Sequence, residues 1–321
     1  MTGVKFGVIA DLHADIAHDA PRRLEAFLAA CRAENVDFVI QLGDFIYPAE
    51  GSRCSCAKRD RPVNIRLADQ RPAPVDRAGL LALYRAFPRP GYHVLGNHDL
   101  DFCTKRQMVR YLGMPAPQYA FSHGGVRFAV LDCNFFMRDG RCRNFCRGNY
   151  FGSGELPYLA PQNLEWLRRE LWAHVGEPYV LFSHQRLTER PFGIKNHEEL
   201  RTLLSEYRAA GGRVALSMNG HNHLDGAEQR EGIWFFDLNS ASNQWLGEEF
   251  CCPRFAPPIE EAFPSLRYTA PYRDPLFAVV EMDPVRVRIR GRRSAFVPPA
   301  PAQLGCREPY TAEVTDLEFR Y

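Results

Sequence analysis

Five apolar segments of strand length in this 321-residue chain each end in a short polar cluster that contains Asp, His or Asn. In an open α/β sheet the carboxyl ends of parallel strands face one crevice, so clusters far apart in the sequence can meet there. A fold that uses all five clusters therefore needs parallel strands with helices as connections. The clusters are Asp11-Leu12-His13, Gly43-Asp44, Gly96-Asn97-His98-Asp99, Ser183-His184 and Gly220-His221-Asn222-His223.

Segments with helical periodicity alternate with the apolar strands, which is typical of an α/β chain. Asp19 is predicted to cap the first helix, whose apolar residues recur at the i, i+3, i+4, i+7 spacing from Leu24 to Cys31. Further helices are predicted at 76–87, 162–175 and 198–209. Strands are predicted at 4–10, 36–42, 92–95, 126–132, 179–183, 214–217, 233–238, 276–282 and 285–290.

The strands that follow residue 223 favour additional sheet within the same domain, so one domain is predicted over residues 1–321. Six prolines in the segment from Cys251 to Pro275 predict a long ordered surface loop, and the tail from Pro298 onward is predicted to be irregular. Two inserts are predicted near 48–77 and 136–160.

The composition is that of a soluble globular protein, with 45% hydrophobic and 24% charged residues. A net charge of +2 argues against a protein that holds long duplex nucleic acid or an anionic membrane through bulk charge. The sequence contains no run of about 20 apolar residues, so no membrane span is predicted. The chain opens on a strand rather than a signal peptide, so a cytoplasmic location is expected. The sequence leaves the oligomeric state open.

The polar clusters supply the ligand types that Mn, Fe or Zn accept, and seven such residues would fill two metal sites that share one carboxylate. Two metal ions about 4 Å apart are a device for phosphoryl chemistry. A lone Asp or His at a strand end is more often a capping or hydrogen-bonded residue. Five clusters at the ends of five apolar strands favour a functional site over that alternative.

In order and interval the clusters resemble the calcineurin-like metallophosphoesterase superfamily, whose pattern runs D-x-H, G-D, G-N-H-D or G-N-H-E, H, and G-H-x-H. The matching residues extend from Asp11 to His223. The resemblance implies an α/β fold, a four-layer α-β-β-α sandwich of two mixed sheets flanked by helices. It also implies a dinuclear metal site on one edge of the sandwich.

The resemblance also implies a role for each matching residue. His98 would be a non-ligand catalytic residue that donates a proton to the leaving oxygen, with Asp99 orienting its ring. The metals would be two divalent or mixed-valence ions, with Mn or Fe preferred over Zn. The implied ligands are Asp11, His13 and His223 for the first metal, Asn97, His184 and His221 for the second, and Asp44 as the bridge.

The function implied by the resemblance is hydrolysis of a small anionic phosphodiester or nucleotide-like diphosphate, by in-line attack of a metal-bridging hydroxide. Phe45-Ile46-Tyr47-Pro48 follow Asp44, where the family's protein phosphatases carry Asp-Arg-Gly, so a protein serine/threonine phosphatase is disfavoured. The alternatives are a phosphomonoesterase or a nuclease of the same superfamily. A non-catalytic scaffold is the least favoured, because every ligand position is filled.

Both inserts are rich in arginine and contain paired cysteines. Arginines of the second insert, Arg138 to Arg147, are interpreted either as substrate contacts or as a solvated loop. The cysteine pairs can be read as a structural zinc site, as disulfides or as free thiols. Aromatic residues from Trp234 to Trp245 are interpreted as core, with base stacking as the alternative, and whether 239–243 reaches the site is left open. The four cysteines of the inserts are Cys54, Cys56, Cys142 and Cys146.

Overall fold

The computed structural model describes residues 3–48, 74–151, 153–189 and 193–321. Its strands are β1 (Val4–Ile9), β2 (Phe38–Gln41), β3 (Gly91–His93), β4 (Tyr119–His123), β5 (Val126–Val130), β6 (Phe135–Arg138), β7 (Arg141–Asn144), β8 (Pro178–Phe182), β9 (Arg213–Asn219), β10 (Gly226–Arg230), β11 (Ile233–Asp237), β12 (Asn243–Trp245), β13 (Thr269–Pro271), β14 (Ala278–Met282), β15 (Arg286–Arg290) and β16 (Leu317–Arg320). Its α-helices are α1 (Ala20–Ala33), α2 (Arg77–Arg85), α3 (Lys105–Leu112), α4 (Pro161–Ala173), α5 (His197–Ala209) and α6 (Pro257–Ala262).

Two mixed sheets contain most of these strands. The first sheet has the order β16-β15-β14-β1-β2-β3, in which β1, β2 and β3 are parallel and β14, β15 and β16 are added antiparallel. The second has the order β10-β11-β9-β8-β5-β4, with β11, β9, β8 and β5 parallel at its centre. The parallel strands of each sheet therefore deliver their carboxyl ends to a common edge.

Aromatic side chains join the two sheets face to face. Phe6 of β1 lies edge-on to Phe128 of β5 and Phe182 of β8, with ring centroids 5.6 and 5.8 Å apart. Phe38 of β2 stacks on Phe6 at 4.9 Å and meets Phe128 edge-on at 5.1 Å. These rings are fully buried, so they form the centre of the core between the sheets.

Helices cover the outer face of each sheet. On the first sheet α1 packs so closely on β1 that a Cβ at Gly7 would lie 2.2 Å from Cys31 Sγ, which requires glycine there. On the second sheet the side chains of β8 alternate: Val180 joins the core between the sheets, while Leu181 joins a second cluster beneath α4 and α5. The four-layer α-β-β-α sandwich is therefore confirmed.

Several segments differ from the sequence prediction, which also omitted β4, β6, β7, β10 and β12. The stretch before β4 contains α3, which a capping box of Thr104 and Gln107 begins. The tail after Pro298 is not irregular throughout, because β16 pairs with β15, and the proline-rich segment contains α6 and β13 rather than loop alone. Asp19 precedes α1, but its carboxylate binds Arg23 instead of capping the helix, and the pairing buries that guanidinium.

No described helix combines the length and apolar character needed to cross a bilayer. The insert predicted near 48–77 falls largely outside the described residues, and with it Cys54 and Cys56.

Phe128→Ala is expected to destabilise the protein by about 3–5 kcal/mol, because it removes the ring that meets four other phenylalanines. The free energy of unfolding from urea titration measures this change. Val285→Ala, at a site that is 55% exposed, is the control and should change stability by less than about 0.5 kcal/mol. Equal effects of the two substitutions would contradict the assignment of the core.

Candidate active site

The predicted site residues all follow the carboxyl ends of parallel strands. Asp11 and His13 follow β1, Asp44 follows β2 and Asn97 follows β3, whereas His184 follows β8 and the other two histidines follow β9. Among the described non-glycine residues, positive φ values are uncommon, and five of the nine belong to this site. Such backbone strain is concentrated at functional sites. The five residues are Asp11, His13, Asp44, His221 and His223.

One group of donor atoms comes from Asp11, His13 and His223, which are all buried and whose ligand atoms lie within 4.8 Å of one another. The Nε2 atoms of His13 and His223 are 3.1 Å apart, and His223 Nε2 is 3.4 Å from Asp11 Oδ1. His223 Nδ1 hydrogen-bonds the Asn243 carbonyl at 2.5 Å. That bond fixes the ring with its bare Nε2 turned toward the group.

A second group comes from Asp44, His184 and His221, again with all ligand atoms within 4.8 Å. His184 Nε2 lies 3.0 Å from Asn97 Oδ1, 3.2 Å from Asp44 Oδ2 and 3.2 Å from His221 Nδ1. The other ring nitrogen, Nδ1, hydrogen-bonds the Leu42 carbonyl at 2.8 Å and so fixes the tautomer. Asn97 thus joins the second group, as its amide oxygen faces the same ring nitrogen.

The Asp44 carboxylate lies between the two groups. Its Oδ1 accepts a hydrogen bond from the His98 backbone N–H at 2.8 Å, which fixes the carboxylate orientation. Its Oδ2 lies 3.2 Å from His184 Nε2 and 3.7 Å from His13 Nε2, one histidine from each group. A single oxygen therefore lies close to both groups, a position that suits a bridging ligand.

The donor set fits a pair of metal ions. Buried ring nitrogens and carboxylate oxygens face one another with few protons between them, and such an arrangement is unfavourable unless a cation lies among them. Burial lowers the pKa of His221 to about 3 and keeps it neutral. Burial also opposes charge on His184, but the Asp44 carboxylate outweighs it and raises the pKa of His184 to about 9. The Asp44 carboxylate therefore stabilises positive charge on the imidazole beside it.

The glycines of the polar clusters make room for the donor side chains of other clusters. A Cβ at Gly96 would lie 2.1 Å from Asp44 N and Oδ1. A Cβ at Gly220 would lie 2.4 Å from Asp11 Oδ2. Both distances are shorter than any real contact, so these glycines are needed for the site to close.

Asp99 does not orient the ring of His98, so that prediction is wrong. Its two oxygens instead accept backbone N–H groups from Asp44, Phe45, Ile46 and Gly96, at 2.8 to 3.1 Å. Because these donors come from the loops after β2 and β3, Asp99 fastens the two loops together. Burial and the neighbouring Asp44 carboxylate raise the pKa of Asp99.

The partner of His98 is Asp101, which the sequence analysis missed. His98 Nδ1 lies 3.1 Å from Asp101 Oδ2, and the other Asp101 oxygen accepts the Tyr150 hydroxyl at 2.5 Å. Burial disfavours the charged imidazole, but Asp101 and Asp44 outweigh burial and raise the pKa of His98 to about 10. The short turn 98–100 brings the residue at i+3 beneath the ring, and that spacing was the available signal.

The segment 239–243 does reach the site. Ser240 Oγ donates to the Asp11 carbonyl at 2.9 Å, and Ser242 Oγ donates to the Leu12 carbonyl at 2.7 Å. These bonds hold the strained loop after β1 from outside. Trp234 stacks on Phe319 at 5.0 Å, in agreement with its interpretation as packing, whereas Trp245 borders the site.

The second insert contains a hairpin of β6 and β7. Arg141 and Arg143 are exposed on β7, and Arg138 lies over the Phe136 ring at 5.2 Å, so their contact with substrate stays a prediction. Cys142 and Cys146 are free thiols. Within the described ranges neither joins a group of three or more metal-binding side chains. A zinc site shared with the first insert therefore stays a prediction.

A sequence model described as calcineurin-like phosphoesterase matches residues 4–225. Among solved structures, a dimetal phosphatase from Danio rerio is similar, with a TM-score of 0.60 and 18% identity over 92% of this chain and 98% of that chain. GAP50, called the anchor in the inner membrane complex of Plasmodium, is similar with a TM-score of 0.50 and 12% identity over 93% and 86% of the two chains. A search of curated proteins finds no match. The likenesses to solved structures show the fold.

Gly220→Ala is expected to weaken metal binding at least about 10-fold, because the new methyl group displaces the Asp11 carboxylate from the first donor group. Metal content after dialysis against limiting Mn²⁺, measured by mass spectrometry, should fall below two ions per chain. Gly176→Ala is the matched control, since nothing lies within 4 Å of a Cβ there. Two tightly held ions in Gly220→Ala would contradict the geometry of this group.

Proposed function

The chain belongs to the calcineurin-like phosphoesterase family, and we propose that it hydrolyses a small anionic phosphodiester or nucleotide-like diphosphate. Family membership supports a metal-dependent phosphoesterase, and the proposal adds the substrate type, the ligands and the roles of residues. The observation that carries it is the position of Asp44 Oδ2 between His13 of one donor group and His184 of the other. One shared oxygen between two sets of imidazoles suits two metal ions a few ångströms apart.

The proposed ligands follow from the two donor groups. Asp44 would be shared by the two ions, and Asn97 would complete the second set through its amide oxygen, 3.0 Å from His184 Nε2. When bound, the ions would supply Lewis-acid activation of the phosphoryl group and of the attacking water molecule. Carboxylate, amide and imidazole donors together favour Mn or Fe and also accept Zn. The first set is Asp11, His13 and His223, and the second is Asn97, His184 and His221.

His98 supplies the proton for the leaving oxygen. Its ring centroid is 5.3 Å from that of His13, beside the first donor group. Nδ1 faces the Asp101 carboxylate, so Nε2 is the nitrogen left to face substrate. The Asp101 carboxylate stabilises the charged imidazole, and a protonated ring is the form that a general acid requires.

Other functions of the family remain as alternatives. A phosphomonoesterase or nuclease would use the same donor groups. Comparing the hydrolysis of a monoester with that of a diester distinguishes a phosphomonoesterase from a diesterase. A scaffold is favoured least, although GAP50 is called an anchor, because this chain places a filled donor set around Asp44. A pure scaffold has no need of a buried, strained cluster of donors.

Asp44→Asn is expected to lower the Mn²⁺-dependent hydrolysis of bis-p-nitrophenyl phosphate at least about 100-fold. Loss of residues that merely support a metal ligand already costs about 10- to 100-fold, and the bridging carboxylate should matter more. Release of p-nitrophenolate measures the rate, and p-nitrophenyl phosphate serves as the monoester comparison. Asp274→Asn is the control, because that carboxylate is 71% exposed.

Full turnover by Asp44→Asn would exclude the proposed bridge. Preference for p-nitrophenyl phosphate over the diester would favour a phosphomonoesterase. Two bound metal ions with no hydrolysis of either ester would favour the scaffold.

Asp101→Asn is expected to slow substrates with poor leaving groups by about 100-fold and to change p-nitrophenyl esters by less than about 3-fold. An alkoxide must be protonated as it leaves, whereas p-nitrophenolate leaves without help from His98. The measurement compares kcat for two phosphodiesters, an alkyl methyl phosphate and methyl p-nitrophenyl phosphate. Metal content is measured in parallel. An equal loss on both substrates at unchanged metal content would assign Asp101 a purely structural role.

A further inference from the structure

Trp245 at the end of β12 forms one wall of the site. Its indole lies 5.9 Å from the ring of His13, 6.1 Å from that of His223 and 6.4 Å from that of His98. It therefore borders both the first donor group and the candidate proton donor. The side chain is only half-buried, so part of its apolar surface remains exposed.

β12 is fixed firmly in this position. It pairs antiparallel with β13, where Asn243 faces Pro271 and Trp245 faces Thr269. The Asn243 carbonyl also accepts the bond from His223 Nδ1 that orients a proposed metal ligand. The wall and the donor group are thus parts of one rigid unit, as precise recognition of a substrate requires.

The Asn243 carboxamide lacks hydrogen-bond partners within the described part of the protein. Both its Nδ2 and its Oδ1 are buried, and neither has a hydrogen-bond partner in the protein. Side chains two positions apart on a strand share a face, so this carboxamide lies on the same face as the Trp245 indole. A buried amide without partners is costly, and a ligand that offers both an acceptor and a donor removes that cost.

A second aromatic surface lies close to His98. Phe151 has its ring 5.9 Å from that of His98, and Tyr150 stacks on Phe151 at 4.4 Å. The rings of Phe151 and Trp245 therefore both lie close to His98, at 5.9 and 6.4 Å. Two aromatic surfaces beside the proton donor suit a flat apolar group better than a sugar or an alkyl alcohol.

We propose that Trp245 and Asn243 bind a nucleobase of the substrate, with the indole stacking on the ring and the carboxamide pairing with its edge. This inference rests on the proposed function and narrows its substrate to nucleotide-type phosphoesters. A phosphodiester group offers only acceptors, so it cannot satisfy Asn243 Oδ1. A nucleobase offers a π-face together with adjacent donors and acceptors, which Asn pairs with two at a time.

The test uses two diesters that share the p-nitrophenolate leaving group. One is the p-nitrophenyl ester of thymidine or adenosine 5′-monophosphate, and the other is methyl p-nitrophenyl phosphate, which has no base. Kinetics are measured with Mn²⁺ for the wild type and for Trp245→Leu, Trp245→Phe and Asn243→Ala. Trp172→Leu is the matched control, because Trp172 is an exposed residue of the outer helix α4.

Trp245→Leu is expected to raise KM for the nucleoside esters roughly 10- to 100-fold more than it raises KM for the methyl ester, because only the nucleoside esters lose a stacking surface. Trp245→Phe, which keeps an aromatic face, should recover most of the loss. Asn243→Ala retains the backbone carbonyl that holds His223 and should reduce the preference between the thymine and adenine esters. Metal content of each variant, measured alongside, detects any loss of the donor group.

An unchanged ratio of the nucleoside and methyl esters in Trp245→Leu, with both still hydrolysed, would overturn this inference and leave the proposed function intact. An unchanged base preference in Asn243→Ala would overturn the role of its carboxamide. Absence of metal-dependent hydrolysis of either ester by the wild type would instead contradict the proposed function.

Discussion

The Asp44 carboxylate is the interaction on which the arrangement of the site depends. One oxygen is held by the His98 backbone, and the other is shared by imidazoles that arrive from different sheets: His13 follows β1 of the first, and His184 follows β8 of the second. Two sheets packed through buried aromatic rings are what bring these strand ends together. The carboxylate in turn favours positive charge among the histidines, since a buried negative charge needs a close opposite charge.

Much of the surrounding structure compensates for the cost of this arrangement. Five residues of the site have left-handed backbone conformations, each less favourable than an ordinary loop conformation. Asp99 offsets that cost by accepting four backbone N–H groups from the loops after β2 and β3. Ser240 and Ser242 do the same for the loop after β1. Some residues that belong to the same sequence clusters as the catalytic residues therefore serve to hold the loops in place.

The two sides of the site have different chemistry. The donor groups offer nitrogen and oxygen atoms to cations and, through them, to a phosphoryl group. Beside these groups lie the aromatic rings of Trp245 and Phe151, each close to His98. Such a division separates the bond to be broken from the part of the substrate that is recognised, and recognition there orients the reacting phosphorus.

The sequence by itself determined the fold class and the residues that meet at the sheet edge. The spacing of apolar residues and the types of donor side chain can be read locally, and an α/β topology brings the ends of its parallel strands together. It also placed the central strands of both sheets and the helices α1, α2, α4 and α5, but it missed α3, α6 and the strands β4, β6, β7, β10, β12, β13 and β16. Only the tertiary structure decided that Asp101 faces His98 while Asp99 binds the loops, and that Trp245 borders the site while Trp234 packs on Phe319. Those roles depend on which segments pack together, since hydrogen-bond partners and burial are set by neighbours distant in the chain.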